Sequence, residues 1–116
     1  MSNVNIVSFD IPRDKPRKIA DKVREALDRF DDNRDRDDDA PLLEFVFVVR
    51  PVALAMRPMR LRELKAAVEP FRGRVRQACC QNVIEVPNIA MRVVTRAALA
   101  FFKPDVPTIV VVTKIK

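Results

Sequence analysis

The chain has 116 residues, with 22 Lys or Arg against 16 Asp or Glu, a formal net charge of +6. That length suits one domain, and a hydrophobic share of 48% is enough for a core. There is no His, Trp or Tyr, a single Gly (Gly73), and Ser only at Ser2 and Ser8. His-based acid–base chemistry, Ser-His-Asp triads, His metal sites and glycine-rich phosphate loops therefore lack the residues they require.

Val4–Ile11 is β-branched and stops at Pro12, which predicts a first strand. Asp14 and Pro16 then mark a helix start. Ile19, Val23, Ala26, Leu27 and Phe30 recur at spacings of three and four, predicting an amphipathic helix over about Lys15–Phe30. The acidic run that follows, residues 31–40, is almost without apolar side chains and reads as a flexible loop inside the domain. Asp31, Asn33, Asp35 and Asp37 imitate half of a calcium-binding EF-hand loop. Arg36 stands where that loop needs Gly and Leu42 where it needs Glu, so no metal site is expected.

Leu42–Val49 is nearly continuous in apolar residues, the pattern of a central strand covered on both faces. The segment 51–58 reads as a loop by its prolines and carries Val52, Leu54 and Met56. A second helix follows over about Met59–Arg72, with Pro70 distorting its last turn and Gly73 offering a left-handed end. Val75–Val86 reads as a strand. Asn88 caps a third, unusually apolar helix over about Ile89–Lys103, which is either fully buried or has one face free to meet a second copy. Thr108–Thr113 closes the chain as a last, buried strand. The order β-α-β-α-β-α-β makes this an α/β domain with a mainly parallel four-stranded sheet flanked by helices. Cys79 and Cys80, adjacent on a strand, point to opposite faces and are expected to be free thiols, as in an intracellular protein. Met1–Asp10 lacks the basic and apolar regions of a signal peptide, and no apolar run approaches the length of a membrane span.

Two surfaces emerge as candidates. Residues 50–76 carry 8 basic and 2 acidic side chains, whereas residues 28–49 carry 3 basic and 8 acidic. Arg57, Arg60, Arg62, Lys65, Arg72, Arg74 and Arg76 are thus candidate contacts to nucleic-acid phosphates. Against this, the chain has no Trp or Tyr for base stacking, and a solvated helix face neutralised by the acidic run competes with it. Val52, Leu54, Met56, Arg57, Met59 and Arg60 have the Met- and Arg-enriched composition of a protein interface, unless the loop simply completes the core.

The element order resembles that of STAS domains, found in sulphate-transporter tails and anti-sigma-factor antagonists. The likeness is plainest in Val83-Ile84-Glu85-Val86-Pro87-Asn88, the apolar helix to Phe101-Phe102-Lys103-Pro104, and Pro107-Thr108-Ile109-Val110-Val111. This half is similar to small orphan STAS-like proteins of large DNA viruses. The bacterial antagonists carry a phosphorylatable Ser or Thr after the central strand. Pro51 to Leu64 contains neither, so no switch residue carries over. The expectation is a soluble, intracellular (host cytoplasm or virion, if viral), non-enzymatic protein–protein interaction module without cofactor, membrane contact or small-molecule substrate. Its partner would be another protein or a second copy in a homodimer, with nucleic acid as the alternative.

Overall fold

The computed structural model describes residues 4–11, 13–50 and 58–113, with the side chains of residues 58–61 left aside. Its elements are β1 (Val4–Ile11), α1 (Pro16–Arg36), β2 (Leu42–Val49), α2 (Pro58–Val68), a 3-10 turn (Glu69–Phe71), α3 (Arg72–Ala78), β3 (Cys79–Val86), α4 (Ile89–Phe102) and β4 (Thr108–Val112). The α/β class and the parallel four-stranded sheet stand as expected, with strand order β1-β2-β3-β4.

That order decides the layering. Each connection adds its strand on the same side of the previous one, and right-handed crossovers then place every helix on one face. The core agrees. Phe9 and Ile11 of β1 and Leu43 and Phe45 of β2 pack with Ile19, Val23, Leu27 and Phe30 of α1. Phe47 and Val49 of β2 bridge this cluster to Ile84, Val86 and Met91. Phe9 stacks on Phe47 at 4.9 Å and meets Phe45 edge-on at 5.5 Å.

The opposite face carries Ile6, Ser8 and Asp10 of β1, Glu44, Val46 and Val48 of β2, Gln81, Val83 and Glu85 of β3, and Ile109 and Val111 of β4. None of these side chains is buried, and Ile6 is 61% exposed. β2 is therefore central but not covered on both faces, because the winding never reverses, and β4, expected to be buried, is an edge strand with Ile109, Val111 and Val112 exposed.

Other boundaries move for local reasons. α1 continues to Arg36, six residues into the acidic run expected to be a loop. Arg74 of α3 holds Asp28 and Asp31 at 3.0 and 2.7 Å, and Arg34 and Arg36 place positive charge in the last turn, where the helix dipole favours it. The stretch from Val75 to Ala78 is helical rather than strand: past the 3-10 turn at Pro70 the chain re-enters a helix, with Gly73 inside it and not in the left-handed conformation. The left-handed cap belongs instead to Lys103, at φ 48°, after α4. Asn88 caps α4 as predicted, accepting from the Met91 N–H at 2.8 Å. Asp14 does not cap α1. It is buried one residue before the Lys15 cap and turned back to β1.

Candidate functional site

Sequence reasoning placed its protein interface at Val52, Leu54, Met56, Arg57, Met59 and Arg60. The first four lie outside the described residues, and Met59 and Arg60 are described only as backbone in the first turn of α2. The Arg-rich stretch is partly described, and much of its charge is consumed internally. Arg50 holds Asp10 through Nε–Oδ1 at 2.8 Å and Nη2–Oδ2 at 2.8 Å. Arg72 holds Asp105 through Nε at 2.6 Å and reaches Glu69 at 3.5 Å, while Arg74 takes the two α1 carboxylates. Asp105 is held below the ordinary carboxyl range by its hydrogen bond from Arg72. Guanidinium groups so engaged must break intramolecular pairs before they contact phosphate, which weakens the nucleic-acid reading of Arg72 and Arg74. Among the described cations of that set, Arg62 and Lys65 have no carboxylate partner, and Arg76 makes no ion pair but adds its charge beside Asp105.

α4 is not the fully buried helix its composition allows. Met91 is its only fully buried residue. Ile89, Val93, Val94 and Phe101 are 71%, 65%, 50% and 43% exposed, and Ala90, Ala97 and Ala100 are exposed beside them. α4 packs on β3 and β4 at one end of the sheet.

The two sheet edges differ sharply. On β1, the Asp10 N–H donates to Asp14 Oδ2 at 2.9 Å, the Asp10 carbonyl accepts from the Asp14 N–H at 2.7 Å, and Lys22 Nζ donates to the Ser8 carbonyl at 3.1 Å. The start of α1 thus covers that edge. On β4, the Pro107 carbonyl and Thr113 N–H bond β3. By strand alternation the backbone groups of Thr108, Val110 and Val112 face outward. Among the described residues no side chain caps the outward groups of Val110 or Val112, and the strand carries no charge. An uncapped, uncharged, β-branched edge is a template for another strand.

Sequence reasoning also missed a cavity of about 280 Å³ between the helix face of the sheet and the helices α2, α3 and α4. Its walls are mostly apolar, among them Phe47 and Ile84 of the sheet, Leu64 and Val68 of α2, and Ala98 and Leu99 of α4. The polar groups on its floor satisfy one another. Asn82 Nδ2 donates to Thr108 Oγ1 at 3.3 Å, and Thr108 Oγ1 donates to the Val106 carbonyl at 2.9 Å. No pattern in the sequence marks this space, because it arises where α2 and α4 stand apart.

No group of three or more His, Cys, Asp or Glu among the described residues is placed to hold a metal ion. Both cysteines are free, and burial pushes the Cys79 thiol up, away from the nucleophilic thiolate. A sheet wound in one direction has no reversal point, the place where open α/β sheets bind nucleotides. No helix among the described residues is long and apolar enough to cross a membrane. Comparison with known proteins adds no identity: no family model, curated protein or solved structure matches the chain.

Proposed function

We propose that the protein is a non-enzymatic protein–protein interaction module that forms a homodimer through the outer face of α4 and the outer edge of β4. One observation carries the reading: the helix that packs on an uncapped, uncharged edge strand carries an apolar, solvent-exposed face. The STAS-like assignment belongs to the same proposal and is supported by element order alone.

A two-fold axis beside Val110 lets the edge pair with itself. Antiparallel pairing centred there sets Val110 against the partner subunit's Val110, and Thr108 against the partner subunit's Val112. The residues so paired are those whose backbone groups face outward. Ile109 then lies opposite the partner subunit's Val111 on the open face, a β-branched pair in each direction. Such an interface is self-complementary, as two-fold dimers require, and continues the sheet across both chains. The two α4 helices would stand over the seam and shield Val93 and its neighbours.

Light scattering coupled to size exclusion tests this. The wild-type chain is expected at twice its 13.3 kDa mass. Val93→Glu places charge on the helix face, and Val112→Pro removes an outward N–H that bonds nothing in the single chain. Each should return the mass to that of one chain. A wild-type monomer at about 100 μM, or a dimer indifferent to both substitutions, overturns the proposal.

A further inference from the structure

We propose that the cleft between α2 and α4 binds a medium-chain fatty acid, its hydrocarbon chain in the cavity and its carboxylate on Lys65. The site lies on the inner side of α4 and meets the exposed apolar surface at Val94 and Phe101, but it needs no second copy of the chain, so neither proposal depends on the other.

Size selects the chain. A cavity of about 150 Å³ lined by aliphatic and aromatic side chains takes up a benzene. In that proportion about 280 Å³ accommodates roughly eleven carbon atoms. Asn82 Nδ2 and Thr108 Oγ1 each already donate to a partner inside the protein, so neither needs a ligand acceptor for that bond. The polar end of an occupant belongs at the surface.

Charge selects the head group. Two cations cross from the α2–α3 side to the C-terminal end of α4. Arg72 is fully engaged, bonding Asp105, Glu69 and the Lys103 carbonyl. Lys65 donates to the Phe101 carbonyl at 3.1 Å and lies 4.5 Å over the Phe101 ring, with no carboxylate partner among the described residues. An ammonium has three donors, and one is used here. Lys65 lines both the cavity and a shallow outer groove with Arg62, Ala66, Glu69 and Phe101, so it stands where the cavity meets the surface. A carboxylate there gains a charge-assisted hydrogen bond from Lys65 while its chain leaves water.

The test is calorimetric titration of the full chain with decanoate and with decanol, both below the concentrations at which they aggregate. Decanoate is expected to bind one to one, and decanol about tenfold more weakly. Lys65→Met, which keeps the aliphatic stem, should reduce decanoate to the level of decanol and leave decanol unchanged. Ala98→Trp fills the cavity and should abolish both. The smaller Ala98→Leu, for use where Trp prevents folding, should shift the preference from decanoate to octanoate. Val93→Glu should leave decanoate binding untouched. Absence of saturable binding, or binding that survives filling of the cavity, overturns the site. Equal affinities for decanoate and decanol, unaffected by Lys65→Met, overturn the assignment of the carboxylate.

Discussion

Asp14 and Arg50 give one end of the β1–β2 pair its polar fastening. Asp14 is 5% exposed, receives the Asp10 N–H, and pairs with Lys18 at 3.1 Å and Lys22 at 3.6 Å. Arg50, at the end of β2, clamps the Asp10 carboxylate through two nitrogens. Both carboxyls titrate below the ordinary range. For Asp10 the leading cause is the hydrogen bond from Arg50. For Asp14, burial pushes upward but is outweighed by the Asp10 N–H and the two lysines. A carboxyl depressed in the folded state stabilises the fold above its unfolded value near 3.9, and that contribution is lost as pH falls through the lower folded value. Asp14→Ala leaves the Asp10 N–H and two lysines without their acceptor and should lower stability by about 1–3 kcal/mol at neutral pH. The gap between variant and wild type, read from urea unfolding, should be constant from about pH 5 upward and narrow as pH falls below the unfolded carboxyl value near 3.9. A gap unchanged at acid pH would mean that Asp14 acts through packing and not through charge.

At the scale of elements, what was legible in the sequence followed from periodicity. The existence of the four strands and of the Ile19–Phe30 stripe was legible because each is a β-branched or periodic apolar run continuous in sequence, although the two-sided cover read for β2 was not met. What escaped was decided by distant partners. The acidic run looks like a loop until Arg74, on another helix, is brought to Asp28 and Asp31. Val75–Ala78 looks like strand because it is followed by one, yet Val75 packs from α3 against the α1 cluster. Gly73 illustrates the same limit. Its place after Pro70 suggested a helix end, but it sits in α3 without a positive φ, and a Cβ there would meet nothing within 4 Å. Gly73→Ala should therefore raise stability by about 0.4–1 kcal/mol, by removing conformational freedom from the unfolded chain. Chemical denaturation measures this directly. A loss of stability would show that the glycine is needed for a conformation other than the helical one.

At the scale of the molecule, a sheet wound in one direction leaves one face bare and the helices in a single layer. The element order was readable from the sequence, but the strand order was not. Whether helices cover one face or two depends on where each strand is added, and no local pattern records that. The same winding leaves β4 and α4 at the end of the sheet with no further described element beyond them, and α4 carries much of the exposed apolar surface. A second copy across that seam makes folding and association one equilibrium, so stability should depend on protein concentration. A hundredfold increase in concentration adds about 2.7 kcal/mol per dimer, which for two chains of this length corresponds to a rise in Tm of roughly 5–10 °C. Calorimetric scans across that range should show the rise for the wild-type chain and for Gly73→Ala, and a constant Tm for Val93→Glu. The seam carries no charge on β4, so added salt should leave the concentration dependence in place, whereas association through arginines and phosphates would fade steeply. A wild-type Tm that stays fixed with concentration would mean that α4 and β4 remain exposed in a monomer.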